Sequence, residues 1–530
     1  MPEPFTAREQ YIGSTIGGLG LFQHETPVIV HIAHQSTLCQ ANCIAFHDDK
    51  SLNVISKSRP PFSTPSEYYN SWSRMLCIAQ CLGTIYPGEH RDQMFKVWNF
   101  QLLPTNEEVI SCEGNPTCLE DVVKANDYDP RLIGQIVAHE IEVDLKEDGW
   151  NSHGTLSYDP ERDSVAECTA NCAPYSDTTG YFPRNNPHNN FNSKTKYQKK
   201  RTLKRGGGKK KQQGGNDKKY EVNGNNKYWQ PLRELTPYLG TVIRQEHVTP
   251  HIGIKAKPTL LTSFKKAKDP KYDYKMEADL LLERLRELTG DVRRQDMVKF
   301  FDNKILVRVF IQVSLMAFFK DELTFEDYMM YDSGISSAEI DATIQVWREK
   351  VRHDLVRPPT VIQAWNNDVI ETFNDEVGAT SPKALKARDF QPYIRTMPHS
   401  EYPSGSASIC TAYAGFVDLF TQEYFGTDLP LLSIGNATTA FNTCEGDFPF
   451  GIGCTSLIDL EDMAELASLC GQSRLWAGLH FSSSVTAGEE IVSGLGKLAF
   501  DFVKTIKADS NWTNTITQMN AEESRPKCAN

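Results

Sequence analysis

Tyr402-Pro-Ser-Gly-Ser-Ala-Ser-Ile-Cys-Thr-Ala-Tyr-Ala-Gly-Phe-Val-Asp-Leu-Phe420 reads as a helix mouth followed by a helix. Ile409, Tyr413, Phe416, Val417 and Phe420 recur at three- and four-residue steps, the period of a helix with one buried face. Pro403 is expected at the first helical position, where a missing N–H has no intrahelical partner to lose. The N–H groups of Gly405 and Ser406, and the hydroxyls of Ser404 and Ser406, then point out of the helix start. The macrodipole adds partial positive charge there, and Gly405 lets an anion approach the backbone closely. The stretch is a seat for an oxyanion or, more plainly, a turn entering a helix.

The flanking segments carry cations. Ser336 and Glu339 have capping-box spacing, which predicts a helix over 339–355 with Ile340, Ile344, Trp347 and Val351 as its apolar stripe. Lys350 lies at the edge of that stripe. Arg357 follows two helical turns later, so both share a face if the helix persists, and Pro358 and Pro359 end it. Two cations on one face repel unless an anion lies between them, although a solvated edge with Arg348 and Arg352 is the other reading. Downstream stand Arg474 and His480. Six residues is about 240° of helix, so the backbone must curve for both to meet one ligand. A single histidine in such a stretch is equally a core residue.

The remaining chain is read as mainly helical. Helices are expected over 26–49, 68–85, 90–103, 130–147, 276–289, 291–320 and 339–355, the segment 151–192 as loop, and no convincing run of strands is visible. Helices of this kind pack pairwise into bundles. The expected organisation is an N-terminal helical part (1–192), a basic insert (193–225) and a catalytic helical bundle (226–530). The insert carries twelve Lys or Arg against one Asp between Lys194 and Lys219, in a chain of net charge −12. It has too few apolar residues to fold alone and reads as disordered, either solvated or bound to nucleic acid or an anionic surface. The longest apolar run, Ile305 to Phe319, contains Arg308 and Gln312 and reads as a buried helix, which disfavours a membrane span. The first residues show no secretory pattern, so either a cytoplasmic location is expected or the export signal lies outside this sequence. Among thirteen cysteines, Cys39/Cys43, Cys77/Cys81, Cys112/Cys118 and Cys168/Cys172 are close pairs. Their spacing does not match zinc templates, and Cys112–Cys118 is the best disulfide candidate.

Taken together, Lys350-x6-Arg357-Pro358, Pro403-Ser404-Gly405 and Ser473-Arg474-x5-His480 resemble the signature of the vanadium-dependent haloperoxidases, shared with the type 2 phosphatidic acid phosphatases. Thr26 to Asp49, Trp229-Gln-Pro-Leu, Gln245-Glu-His-Val-Thr-Pro-His and Phe300-Phe-Asp-Asn-Lys resemble further family segments. The resemblance implies a helical-bundle haloperoxidase/acid phosphatase-like fold and a vanadate cofactor. Lys350, Arg357 and Arg474 would neutralise its oxygens, the Ser404 hydroxyl and Gly405 amide would complete the cradle, and His480 would be the axial ligand to vanadium. Trp347 matches a tryptophan near the cofactor. The implied reaction oxidises halide with hydrogen peroxide to hypohalous acid or a halogenated small organic product, with Lys350 polarising the peroxide. His399 matches the position that is His in bromide-using members, which favours bromide or iodide. Family members often dimerise, though no self-complementary patch is visible here.

Two positions depart from the pattern. Ser406 stands where the family has a proton-moving His, a loss that typically costs about 10² to 10⁴ in rate, with His399 as substitute. Ser484 stands where the phosphatases place the Asp that orients their nucleophile. A soluble acid phosphatase with His480 as nucleophile, and a non-catalytic oxyanion-binding protein, are the alternatives.

Overall fold

The computed structural model describes residues 26–47, 60–85, 103–183, 227–244, 249–433 and 458–509, apart from isolated positions within these ranges. The basic insert and most of the helix expected over 90–103 lie outside the described residues. Five helices build the first part: α1 (Thr26–His47), α2 (Ser71–Ile85), α3 (Glu107–Ser111), α4 (Pro116–Ala125) and α5 (Pro130–Leu145). Six follow: α6 (Ile252–Lys255), α7 (Tyr274–Glu287), α8 (Val292–Phe300), α9 (Lys304–Phe319), α10 (Phe325–His353) and α11 (Pro358–Gln363). The last four are α12 (Gly405–Phe425), α13 (Met463–Trp476), α14 (Ser482–Val492) and α15 (Leu495–Asp509). The architecture is mainly α, as expected.

Strands are present where none was expected. Leu156–Asp159 with Ser164–Glu167, Leu232–Thr236 with Gly240–Arg244, and Val369–Thr372 with Lys383–Lys386 form three two-stranded antiparallel hairpins. Each is four or five residues long, too short for alternation to stand out in the sequence.

The bundle is centred on α10, which packs against α1, α12 and α15, while α12 also packs against α13 and α14. Its start differs from expectation. The helix begins at Phe325, and Ser336 and Glu339 lie in its interior rather than at a cap. A Ser-x-x-Glu pair has the spacing of two neighbours on one helix face. Here Ser336 Oγ meets His34 Nδ1 at 3.1 Å, and Glu339 accepts from Arg308 Nη1 at 2.9 Å and from the Tyr413 hydroxyl. Arg308 also donates to Asp332 at 2.6 Å, and Thr37 closes the network on the other Asp332 oxygen at 2.9 Å. All these groups are buried, so each needs its partner, and α1, α9, α10 and α12 are thereby held in register.

The helix expected over 291–320 is also two. Asn303 accepts from the backbone N–H of Ile305 at 3.0 Å and of Leu306 at 3.2 Å, which ends α8 and caps α9. On α12 the apolar face is as expected: Ile409, Tyr413, Phe416, Val417 and Phe420 are all buried. Where α15 crosses α12, a methyl on Gly496 would lie 2.3 Å from the Gly415 carbonyl carbon, so the backbones meet directly.

A strap of chain from 256 to 273 is tied along α10 by side chains one turn apart. Asp341 accepts from the N–H of Thr259 (2.7 Å), Leu260 and Leu261 (both 2.8 Å). Gln345 bonds both backbone groups of Lys265, and Glu349 accepts from the N–H of Ala267 at 2.8 Å. Among the described residues there are five disulfides: Cys39–Cys81 and Cys43–Cys77 join α1 to α2, Cys410–Cys470 joins α12 to α13, and Cys112–Cys118 and Cys168–Cys172 are local. No helix among the described residues is long and apolar enough to cross a membrane.

Asp341→Ala would leave three backbone N–H groups without their acceptor. Urea unfolding followed by circular dichroism should show a loss of about 3 kcal/mol. A loss below about 1 kcal/mol would mean that the strap does not depend on this carboxylate.

Candidate functional site

The helix starts two positions later than the sequence suggests, at Gly405 rather than Pro403. Ser404 is the N-cap, with extended backbone, and accepts from the N–H of Ala407 at 3.4 Å; Gly405 is the first helical residue. Pro403 lies outside the helix, joined to Tyr402 by a cis peptide bond. A serine hydroxyl is the better cap, so it takes the boundary and proline stays before it.

Beneath this mouth lies a small cavity of about 40 Å³. One water requires roughly 10–15 Å³ on the same kind of measure, so the space suits a tetrahedral oxyanion rather than a drug-sized ligand. Gly405 and Ser406 line it from α12, Trp347 from α10, Arg357 from the turn before α11, His399 from the loop before the mouth, Arg474 from α13 and His480 from the turn before α14. Asp302 and Lys304, on either side of the Asn303 break, complete the charged lining.

Arg357 holds the centre. Helix α10 ends at His353, and Asp354 turns the chain at φ +54°, so Arg357 does not continue the helical face of Lys350. Its guanidinium donates to the carbonyls of His399 (2.8 Å) and Leu479 (3.0 Å), to His399 Nδ1 (2.9 Å) and to His480 Nε2 (3.1 Å). His399 also packs on Trp347 at 4.8 Å between ring centres. Arg474 donates to Asp302 at 2.9 Å and to the Val298 carbonyl at 3.1 Å, which fixes its guanidinium at the wall. The curvature needed between Arg474 and His480 comes from the end of α13 and Gly478, whose φ is +79°.

Two of the expected residues stand behind the wall. Lys350 is fully buried, but its ammonium donates to the carbonyls of Ser400 (2.9 Å), Glu401 (3.3 Å) and Pro403. It therefore shapes the loop that leads to the mouth, and burial with the nearby Arg357 lowers its pKa well below that of a free lysine, against the pull of Glu401. The Ser404 hydroxyl serves the helix cap.

Lys304 was not singled out from the sequence, although the quoted Phe300-Phe-Asp-Asn-Lys run contains it. Its amine is buried, faces the cavity and has no hydrogen-bond partner. Burial, then Arg474, lowers its pKa well below the ordinary value, with Asp302 opposing. His480 is held well below a free histidine by burial first, then by Arg357, Lys350 and Arg474, so its imidazole is neutral. Its other nitrogen, Nδ1, faces Glu401 Oε1 at 3.2 Å and Ser484 Oγ at 3.1 Å. A carboxylate thus stands at His480 after all, from position 401 rather than 484. Arg357, Arg474 and an unpartnered lysine around one small cavity, with a helix N-terminus and a neutral imidazole whose Nε2 is unprotonated and accepts from Arg357, fit a multiply charged oxyanion.

Comparisons with known proteins agree with this architecture. Residues 330–508 match the family model described as the VCPO second helical-bundle domain. The fold is similar to that of a holo-type bacterial vanadium-dependent chloroperoxidase (TM-score 0.67, 20% identity, covering 92% of this chain and 93% of that one). The apo-type bacterial vanadium-dependent chloroperoxidase gives 0.66 at 20% identity, covering 91% and 95%. A bacterial vanadium-dependent iodoperoxidase gives 0.56 at 16%, covering 95% and 98%. No curated protein sequence matches.

Lys304→Met keeps the bulk and removes the unpartnered amine. Unfolding free energy should stay level or rise by up to about 1 kcal/mol, because a buried unsatisfied donor is lost. Affinity for inorganic phosphate or orthovanadate, by titration calorimetry, should fall at least tenfold. Lower stability with unchanged affinity would make Lys304 a packing residue only.

Proposed function

Proceeding from a vanadium haloperoxidase fold over nearly the whole chain, we propose that this protein binds vanadate and oxidises halide with hydrogen peroxide, bromide or iodide being favoured. The observation that carries the reading is the cavity itself, an oxyanion-sized space lined by Arg357, Arg474, Lys304 and His480, whose Nε2 meets the Arg357 guanidinium at 3.1 Å.

Bound vanadate supplies Lewis-acid activation of hydrogen peroxide toward halide. The chain's own residues supply the rest. Arg357 and Arg474 would hold anionic oxygens through charge-assisted donors held at the wall, with Arg357 Nη1 giving up His480 Nε2 as that nitrogen takes the ligand. Gly405 and Ser406 line the cavity at the helix start, where their N–H groups would help to hold those oxygens. His480, neutral and unprotonated at Nε2, would be the anchoring ligand. Lys304 takes over the proton traffic that Ser406 cannot carry: its amine is close to the seat, and its lowered pKa brings proton exchange nearer to neutral pH. His399, fixed by Arg357 and Trp347, lines the side on which halide would enter. The small cavity supports release of hypohalous acid, with any organic substrate halogenated beyond it. The disulfides support an oxidising compartment over the cytoplasm.

A carboxylate at His480 also keeps phosphate-ester hydrolysis, with His480 as nucleophile, as the second reading. One experiment separates the two. The protein is assayed for bromination and iodination of a phenol-type dye with peroxide, with and without added orthovanadate, beside hydrolysis of a nitrophenyl phosphate. Vanadate-dependent dye halogenation is expected, with Arg474→Ala at least a hundredfold slower. Phosphate release inhibited by vanadate, without halogenation, would overturn the proposal.

A further inference from the structure

We propose that Glu401, backed by Tyr272, is the positioning residue of His480: it fixes the plane of the imidazole and keeps the hydrogen on Nδ1. This deepens the function proposed above and rests on His480 being the anchoring imidazole. The hydrogen-bond inventory of each neighbour dictates the arrangement. Arg357 only donates, so His480 Nε2, 3.1 Å from Nη1, is an acceptor. Glu401 Oε1 accepts the N–H of Phe481 at 2.9 Å and lies 3.2 Å from His480 Nδ1. Oε2 meets the Tyr272 hydroxyl at 2.8 Å. A proton on Oε2 would be shared with Tyr272 and leave Oε1 still accepting, so Nδ1 carries its hydrogen whatever the ionisation of Glu401. The Ser484 hydroxyl donates to the Glu401 carbonyl at 3.1 Å and can only accept from Nδ1.

The ring is thus clamped from both sides, by donors at Nε2 and acceptors at Nδ1. Glu401 is itself fixed. It is fully buried, its backbone N–H donates to Leu355 at 3.0 Å, and Tyr272 reaches it from the strap that Asp341, Gln345 and Glu349 tie to α10. Tyr272 in turn packs on Phe481, the residue after the histidine, at 5.1 Å between ring centres. An outer partner of this kind orients a ligand histidine and is worth about 10- to 100-fold in affinity for what the histidine binds. No local motif encodes it, because Glu401 and His480 are 79 residues apart.

The test reads the tautomer and anion binding separately. Full-length protein labelled with ¹⁵N-histidine, without added anion, is examined by long-range ¹H–¹⁵N correlation, with the His480 signals identified by their loss in His480→Gln. In the parent protein the hydrogen is expected on Nδ1. Glu401→Gln retains this, since the Phe481 N–H holds the amide oxygen toward the ring. Glu401→Ala, or Glu401→Leu should the alanine variant not fold, shows a mixture of tautomers and binds orthovanadate 10- to 100-fold more weakly by calorimetry. Tyr272→Phe keeps the tautomer and weakens binding less than tenfold. An unchanged tautomer with affinity within twofold in the alanine or leucine variant would overturn the inference and leave Ser484 as the orienting group. Failure of the parent protein to bind orthovanadate would sink the functional proposal alone, because the tautomer is read without it.

Discussion

Arg357 is the constraint from which the rest of the site follows. Its guanidinium bonds two carbonyls and two imidazoles drawn from separate loops, those of His399, Leu479 and His480. Each charge-assisted bond is worth about 1.5–3 kcal/mol, so together they define one arrangement of the loops before α12 and α14. A cation of this kind is stable when buried only if its acceptors are fixed. The surrounding structure fixes them: Lys350 gathers the carbonyls of Ser400, Glu401 and Pro403, and the Ser404 N–H donates to Ser484 at 2.9 Å. Lys350 thereby acts on the mouth from behind, through the backbone, while Arg357, Arg474 and Lys304 act from within.

Much of this was legible in the sequence because the informative residues lie close together along it. The inward face of α12 follows from its period, and the three short motifs around Arg357, Gly405 and Arg474 stand out by their fixed spacings. What was not legible depends on contacts over long separations or on a choice between two local readings. Asn303 could have continued a helix or broken it; the break is what turns Asp302 and Lys304 toward the cavity. Ser336 and Glu339 could have capped a helix or faced neighbours, and the buried Arg308 and His34 decide for the second. The half-cystines of α1 and α2 pair across helices, whereas in the sequence they read as neighbours along one helix. Glu401 carries no local signal, since nothing near it announces a histidine 79 positions away.

The long helix α10 also shows why polar side chains are tolerated deep in this bundle. Asp341, Gln345 and Glu349 bond backbone groups of the strap, and Asp332 and Glu339 are matched by Arg308. Burial still pushes Asp341 up to about 6, so desolvation outweighs its three backbone donors. Such matched groups favour one packing over its near alternatives more than they add stability.

Each of the ten cysteines among the described residues is in a disulfide. One of these bridges, Cys410–Cys470, sits within two turns of both Gly405 and Arg474. Hypohalous acid, the product of the proposed reaction, is a reagent that attacks thiolates readily. With the described cysteines already oxidised to cystine, the chain would offer that reagent no free thiolate there, so under the proposed function the covalent brace beside the seat would double as self-protection against the product.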